Sequence, residues 1–347
     1  MNSPYQWCVI GAGAAGILAI GKLLDEGIDA KTIVWLDDGF NAGDLSNKWP
    51  NVPSNTKVKP FTKYLEGINS FNYKKCPADL SMNNLDPEKT CQLSQIVKPL
   101  LWISQQLQNK VQSIKTTAKA ICLSDALWEV ATDTQTIAAE KIILALGANE
   151  KQLPHPGNEE VIPLVTALNP EKLKACITTD DCVAVYGASH SGILVLKNLS
   201  ELGCNIVNFY KHPLRYAIDQ GDHIIFDNTG LKGDAATWAK ANLCNNKLSN
   251  IQRYSLDHCD VEQTLKLCNK IIDCVGFSPR TIDIQGINTT AYDCHTGIIA
   301  PGLFGFGLSH PELVTSVYGH QEYNVGLFKF FNYINKVWPL WADYGVN

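Results

Sequence analysis

Two short apolar runs, each followed by a glycine-rich turn and a helical pattern, stand out in the hydrophobic pattern of this chain. Residues 7–10 precede the first turn, GAGAAG at residues 11–16, and apolar positions then recur at helical spacing as far as Gly27. Residues 183–186 precede the second turn, GASHSG at residues 187–192. Each segment predicts a buried strand, a tight turn and the start of a helix.

Both turns predict a site for the pyrophosphate of a dinucleotide. In such a unit, backbone N–H groups and the positive end of the helix dipole point at the anion. We expect His190 and Ser191 to lie over the second pyrophosphate or to cap the helix, while Ser189 stands where a glycine would allow the closest approach. The residues predicted to bind the dinucleotides are Gly11, Gly13, Ala14, Ala15 and Gly16 in the first turn and Gly187, Ser189, His190, Ser191 and Gly192 in the second.

The segment after the first helical pattern predicts a second parallel strand with a ribose ligand at its end. Residues 32–36 are largely apolar and are followed by Asp37 and Asp38, about 20 residues beyond the glycines. A carboxylate at this point can accept hydrogen bonds from both ribose hydroxyls. We therefore predict that Asp37 binds the ribose and that Asp38, beside it in the site, points towards solvent.

The rest of the chain predicts an α/β fold with one dinucleotide-binding domain inserted into another. Residues 40–81 show no sustained period and predict a long functional loop, residues 93–111 a helix, and residues 118–130 and 141–146 strands. Pro154, Pro156 and Gly157 indicate a crossing linker. The predicted Rossmann-like domains are 1–152 with 275–347, and the insertion 153–274, because the last segment is too short to stand alone.

Composition excludes several classes of function. A net charge of −5 argues against nucleic acid or an anionic membrane as partner, and no basic residue precedes Lys22, so no signal peptide is expected. The 12 cysteines are scattered without a C-x-x-C pair, which predicts a reduced, cytoplasmic protein without a redox-active disulfide. The adjacent residues of 257–260 and 294–295 fit a tetrahedral metal site poorly, so we predict loops there and no metal.

The two glycine turns, Asp37, the strand end at residues 145–147 and the VGFSP segment at residues 275–279 together resemble the two-dinucleotide-binding-domain flavoproteins. This superfamily includes thioredoxin reductases, disulfide reductases and flavin-containing monooxygenases. The resemblance implies FAD at the first turn and NAD(P)H at the second. It also implies that Ala145, Gly147 and Gly276, at the two strand ends, contact the cofactors.

Further segments are similar to the monooxygenase branch. The second turn has Ser in place of the middle Gly, and Trp49-Pro50 followed by SNTK at residues 54–57 is similar to that branch's flavin loop. The resemblance implies that Asn55 lies beside the reactive flavin edge, with Trp49 and Thr56 close to it. Residues 301–308 are similar to the family's last strand, which implies that Gly307 and Leu308 lie near the flavin and that a helix beginning near Val325 points its N-terminus at it. The F-x-G-x-x-x-H fingerprint of the branch is absent.

The segment after the second strand of the insertion predicts a preference for NADPH. Strand residues 205–209 are followed by YKHPLR, in which Lys211 and Arg215 supply two cations and His212 is a candidate for a third. A 2′-phosphate requires cations, whereas the ribose diol of NAD favours an acid. Lys211 and Arg215 are therefore the predicted 2′-phosphate ligands.

Two cofactors and no C-x-x-C predict an oxidoreductase in which NADPH reduces FAD, and the flavin then passes electrons to O₂ or a small organic substrate. Two alternatives stay open. One is a reductase of a disulfide, quinone or similar acceptor; the other is a flavoprotein sensor or docking module with little turnover. The expected partner is a small-molecule substrate, and a homodimer is compatible with the sequence.

Overall fold

The computed structural model describes residues 3–155, 157–221, 223–244, 247–258, 260–286 and 291–346. Pro156 of the predicted linker and Cys259 of the predicted 257–260 loop lie outside the described residues. Within the described residues no helix is long and apolar enough to cross a membrane.

Helices and strands alternate along most of the described chain. The strands are β1 (Tyr5–Ile10), β2 (Ile33–Asp37), β3 (Pro53–Lys57), β4 (Thr90–Gln92), β5 (Gln112–Lys115), β6 (Ala118–Ser124), β7 (Leu127–Thr132), β8 (Thr136–Leu144), β9 (Ala148–Glu150), β10 (Glu160–Val161), β11 (Cys182–Tyr186), β12 (Asn205–Tyr210), β13 (Ile218–Asp219), β14 (Ile224–Ile225), β15 (Ile251–Ser255), β16 (Lys270–Asp273), β17 (Phe277–Pro279), β18 (Asp283–Gln285), β19 (Ile298–Ala300), β20 (Leu303–Gly305), β21 (Glu312–Thr315) and β22 (Gln321–Asn324). The helices are α1 (Ala14–Asp25), α2 (Asp44–Asn47), α3 (Val58–Glu66), α4 (Leu93–Gln108), α5 (Leu164–Ala167), α6 (Pro170–Lys174), α7 (His190–Ser200), α8 (Gly233–Asn242), α9 (Val261–Leu265) and α10 (Leu327–Asp343).

The first sheet is built around the first apolar run. Its strand order is β18-β6-β7-β8-β1-β2-β5, with β20 paired to β8 and β19 to β20. Strand β1 lies parallel between β2 and β8, so that Ile10 is opposite both Leu36 and Leu144. Strands near both ends of the chain therefore share one sheet, since β18, β19 and β20 come after residue 280.

The second sheet contains the second apolar run and is parallel throughout. Its strand order is β10-β16-β11-β12-β15. Helix α7 packs on it, and a separate apolar cluster lies beneath, including Val185, Ile193 and Ile272. Where the chain passes between the two sheets, the short strands β9 and β17 pair antiparallel, so the outgoing and returning crossings run side by side.

Two predictions of local structure are wrong. Part of the predicted loop at residues 40–81 is the helix α3, which buries Val58, Phe61, Tyr64 and Leu65; its lysines and Pro60 obscure that apolar face in the sequence. The single strand predicted over residues 118–130 is the hairpin β6–β7. Its two-residue turn, Asp125-Ala126, has φ of 48° and 64°, which is the left-handed pair of a type I′ turn without the usual glycine.

Candidate dinucleotide-binding cleft

A cleft of about 2100 Å³ runs between the two sheets. It is lined by the first glycine turn, by β3, by the start of α7, by α8 and by the segment that leads into α10. Pockets for one small ligand seldom exceed about 1000 Å³. The cleft therefore has room for more than one ligand, and both sheets contribute to its walls.

The first glycine turn opens onto this cleft at Gly13. A Cβ on Gly11, whose φ is 108°, would collide with the carbonyl oxygen of Ala145, and a Cβ on Gly16 would collide with that of Gly11. A Cβ on Gly13 would meet nothing. Helix α1 begins directly afterwards, without a side-chain hydrogen bond at its N-cap. Gly11 and Gly16 thus allow strand and helix to pack, and Gly13 leaves room for a ligand at the helix N-terminus.

The second turn repeats this geometry. A Cβ on Gly187 would collide with the carbonyl oxygen of Cys274, and one on Gly192 with that of Gly187. Ser189 takes the position of Gly13, with φ of −90° and ψ of −167°, as the N-cap of α7. This is extended backbone that any residue adopts. The serine is therefore accommodated without strain, and its side chain is exposed.

The Asp37 carboxylate holds the first turn to the loop after β2. Oδ2 accepts a hydrogen bond from the Ala12 N–H at 2.7 Å, and Oδ1 accepts from the N–H groups of Gly39 and Phe40 at 2.8 and 2.6 Å. An ionised carboxylate has about four acceptor positions, so Oδ2 keeps one beyond these three bonds, and Asp37 lines the cleft. Asp38 is exposed at the edge of the cleft.

The predicted flavin loop lies on the opposite wall. Asn55 and Thr56 are in β3 and face the cleft, and the Asn55 Oδ1 accepts a hydrogen bond from the Thr56 Oγ1 at 3.1 Å. Helix α8, whose Ala235 and Ala239 pack in the apolar cluster of the second sheet, begins against β3, since a Cβ on Gly233 would approach the Ser54 carbonyl oxygen. Helix α8 and strand β3 therefore meet beside Asn55.

His190, at the start of α7, connects the second turn to α8. Its Nε2 lies 3.0 Å from the backbone nitrogen and 3.2 Å from the carbonyl oxygen of Lys232. Burial lowers the pKa of His190 to about 4, so the imidazole is neutral at pH 7. His190 and Ser191 both line the cleft. The neutral imidazole and the Ser191 hydroxyl are therefore polar, uncharged groups on the cleft wall.

A cluster of two lysines and one aspartate on the cleft wall was missed by sequence reasoning. Asp227 lies 2.7 Å from the Lys232 Nζ and 2.5 Å from the Lys329 Nζ. Burial acts to raise the pKa of Asp227, but the two lysines prevail and lower it. Burial lowers the pKa of Lys329. With all three groups ionised the cluster carries one net positive charge, which the nearby Glu322 carboxylate offsets.

In the same region, the segment just before α8 is hydrogen-bonded to the β21–β22 hairpin. The Glu322 carboxylate accepts hydrogen bonds from the Thr229 N–H at 2.9 Å, the Thr229 Oγ1 at 2.5 Å and the Asn228 N–H at 3.3 Å. Asn228 in turn accepts from Lys329 at 2.6 Å. The bonded residues lie about a hundred positions apart in the chain, so no local sequence pattern predicts these contacts.

The predicted 2′-phosphate ligands lie outside the cleft lining. Lys211 and Arg215 are both exposed, and the Arg215 guanidinium stacks over the Phe226 ring at 4.6 Å. Arg253, on β15, was missed: its Nε donates to the Asn208 Oδ1 at 3.0 Å, and it lies over the Tyr210 ring at 4.7 Å. Its Nη2 is buried, with no hydrogen-bond partner among the described residues.

The cleft brings together most of the predicted site. The predicted residues that line it are Gly11, Gly13, Ala14, Ala15, Asp37, Asp38, Trp49, Asn55, Thr56, Ala145, Gly147, His190, Ser191, Leu308 and Val325. Outside its described lining are Gly16, Gly187, Ser189, Gly192, Lys211, Arg215, Gly276 and Gly307.

Comparisons with known proteins agree with this architecture. The sequence profile of the pyridine nucleotide-disulphide oxidoreductase family matches residues 5–249. Monooxygenase AgnR1 of Paecilomyces divaricatus is 31% identical over 98% of this chain and 99% of its own length. A flavin-containing monooxygenase from Stenotrophomonas maltophilia superposes with a TM-score of 0.68 at 13% identity, covering 98% of each chain. The thioredoxin reductase of Lactococcus lactis superposes with a TM-score of 0.59 at 14% identity, covering 98% of this chain and 99% of its own.

The chain belongs to the pyridine nucleotide-disulphide oxidoreductase family. The predicted fold class, a Rossmann-like α/β flavoprotein fold, is confirmed, and the resemblance to two-dinucleotide-binding-domain flavoproteins is confirmed with it. The protein is an FAD-dependent oxidoreductase that uses a pyridine nucleotide.

Proposed function

We propose that this member of the family is an NADPH-dependent flavin monooxygenase that oxygenates a small organic substrate. The observation that carries the proposal is the 31% identity to a monooxygenase along nearly the whole of both chains. The sequence also lacks a C-x-x-C pair, which a dithiol relay between flavin and a disulfide substrate would use.

FAD fits the first unit, taken as residues 1–152 with 275–347. The open space at Gly13, the free N-terminus of α1 and the remaining acceptor position of Asp37 suit a pyrophosphate and a ribose. A Cβ on Gly307 would collide with the Ala15 side chain, so the segment that follows β20 packs against α1. Asn55, Trp49 and Thr56 face the cleft from the other side.

NADPH fits the second unit, residues 153–274. Its pyrophosphate would lie at the N-terminus of α7 beside Ser189, His190 and Ser191. Lys211 and Arg215 follow the end of β12, and Arg253 adds a positive charge next to Asn208 and Tyr210. Cations around this strand end support a 2′-phosphate rather than a bare ribose diol.

When bound, FAD supplies hydride acceptance from NADPH and the subsequent reaction with O₂. The chain supplies orientation and charge. The Asn55 amide would hydrogen-bond at the reacting edge, and the N-terminus of α10 after Val325 presents a partial positive charge to the cleft. The Asp227, Lys232 and Lys329 cluster places two ammonium groups on the cleft wall, and α8 packs on β3 beside Asn55.

Reaction stoichiometry tests the proposal. With the correct substrate, NADPH consumed should equal oxygenated product formed, with little hydrogen peroxide released. Asn55→Ala should divert turnover towards peroxide, while Asn84→Ala, an exposed residue outside the cleft lining, should leave coupling unchanged. NADPH oxidation that yields only peroxide with every small organic substrate would contradict oxygenation.

A reductase of a disulfide or quinone is the second candidate. The fold it shares with thioredoxin reductase and the absence of the F-x-G-x-x-x-H fingerprint favour it. Anaerobic NADPH turnover with quinones or low-molecular-weight disulfides, without oxygenated product under air, would support this function. A sensor with little turnover would instead leave the flavin oxidised during anaerobic titration with NADPH.

A further inference from the structure

Two cysteines of the second sheet lie with their sulfur atoms in contact. The Cys182 Sγ and the Cys268 Sγ are 3.5 Å apart, although 86 positions separate the residues in the chain. Cys182 begins β11, and Cys268 lies in the turn just before β16, the neighbouring parallel strand. Among the described residues this is the one pair of cysteine sulfurs in contact. Neither residue belongs to the cleft lining.

The backbone around the pair is held firmly. The Cys182 N–H donates to the Asn269 Oδ1, and the Asn269 N–H donates to the Cys182 carbonyl oxygen, both at 3.0 Å. The Asn269 amide also donates to Asp181 at 2.6 Å, and the Cys268 N–H donates to the Leu265 carbonyl oxygen at 2.9 Å. A disulfide bond is about 2.05 Å long, so the sulfurs need to approach by only about 1.5 Å. Side-chain rotation supplies a movement of this size.

We propose that Cys182 and Cys268 form a reversible disulfide when the protein meets a hydroperoxide. The Cys182 thiol gives up an electron pair to hydrogen peroxide, which yields a sulfenic acid and one water. The Cys268 sulfur then attacks that sulfenic sulfur, forming the S–S bond and releasing a second water. Two thiols and one peroxide thus give one disulfide and two waters.

The environments of the two thiols set this order. Cys182 is half-buried, so peroxide reaches it first, whereas Cys268 is only 5% exposed. Burial raises the pKa of the Cys268 thiol, which keeps it protonated and unreactive towards peroxide in solution. The Cys268 Sγ is nevertheless held 3.5 Å from the Cys182 Sγ, so this proximity allows it to attack a sulfenic acid formed there, and its proton leaves with the sulfenic hydroxyl as water.

The position of the pair predicts its effect. Cys182 and Cys268 lie at the amino ends of their strands, whereas Gly187 and Cys274 lie beyond the opposite, carboxyl ends, where the second glycine turn is. The disulfide would therefore cross-link β11 to β16 without reaching the turn. Because it closes a long loop, it should restrict the unfolded chain strongly. The inference rests on the fold and is independent of the proposed function.

Peptide mapping of the full-length holoprotein tests it. After treatment with hydrogen peroxide, alkylation of the remaining thiols and digestion without reductant, we expect a peptide that links Cys182 to Cys268 and that dithiothreitol separates. The link should be absent from Cys182→Ser and retained in Cys244→Ser, which removes an exposed thiol. A half-buried site tolerates serine, so the first variant should fold.

Thermal unfolding supplies the second measurement. Oxidised protein should unfold roughly 5–10 °C above reduced protein, and this difference should vanish in Cys182→Ser. Kinetics with NADPH should be the same in both redox states. Overoxidation of Cys182 while Cys268 stays a free thiol, a link between other cysteines, or equal unfolding temperatures for oxidised and reduced protein would overturn the proposal.

Discussion

Trp35 and Asn208 hold equivalent positions beside the two glycine turns, each on the neighbouring strand. The Trp35 Nε1 donates to the carbonyl oxygen of Gly11 at 2.9 Å, and the Asn208 Nδ2 donates to that of Gly187 at 2.8 Å. Each residue lies on the second strand of its unit, opposite Val9 and Val185 respectively. Both are fully buried. Two unlike side chains thus donate to the equivalent carbonyl in each turn, Gly11 in the first and Gly187 in the second, and so satisfy its need for a hydrogen bond.

Asn208→Ala should destabilise the second unit. Asn208 is fully buried and makes three hydrogen bonds, donating to Val185 and Gly187 and accepting from Arg253. Its loss removes all three hydrogen bonds, including those to the Gly187 carbonyl oxygen and from the Arg253 Nε, and we expect about 2–4 kcal/mol less unfolding free energy in urea. Asn205→Ala, exposed on the same strand, is the control. Equal losses in the two variants would contradict the assigned role.

Lys211→Ala and Arg215→Ala should each raise KM for NADPH roughly tenfold, with little change for NADH. Each cation would make a charge-assisted bond to the 2′-phosphate, at the low end of the usual range because both side chains are exposed. The preference for NADPH should shrink as salt increases. Lys266→Ala, an exposed lysine elsewhere, is the control. Equal use of both nicotinamides by the unmodified enzyme would refute this assignment.

Asp227→Asn should weaken the attachment of α10 to the second unit. The substitution keeps the size of the side chain but leaves Lys232 and Lys329 facing each other without the intervening carboxylate. We expect a loss of about 1–3 kcal/mol in unfolding free energy, because the group is only partly buried. Asp79→Asn, at an exposed site, provides the comparison in the same urea titration. Added salt should reduce the loss by screening the two lysines, and an effect unchanged by salt would argue against a charge-based cause.

His310 should make the protein sensitive to acid. Burial lowers its pKa to about 4, against an ordinary value near 6.5. The unfolded chain therefore takes up the proton first, so this contribution to stability is complete above pH about 6.5 and is lost as pH falls to about 4. The loss amounts to at most about 3 kcal/mol.

The His310→Gln variant tests that contribution, because glutamine cannot take up a proton. Unfolding free energy measured between pH 4 and 6.5 should fall less steeply in the variant than in the unmodified protein. His190 shares the lowered pKa and should keep part of the slope in the variant. Identical slopes would show that His310 does not carry this dependence.

What the sequence predicted well is local. A glycine turn between a buried strand and a helix is specified by neighbouring residues, since Gly11 and Gly187 need a positive φ and a close approach that other residues prevent. Asp37, at the end of β2, was predicted from the same short segment of strand, turn, helix and strand. These signals were sufficient to predict the fold class, which the family match confirms.

What the tertiary structure alone decided depends on long-range pairing. The Asp227, Lys232 and Lys329 cluster forms because α10 returns beside the second unit, and Cys182 meets Cys268 because β11 pairs with β16. Helix α3 is stable because its apolar face packs on α10, not because its lysine-rich sequence favours a helix. Contacts between distant segments are determined by how sheets and helices assemble. The local pattern of apolar and polar residues does not specify which distant side chains will be in contact.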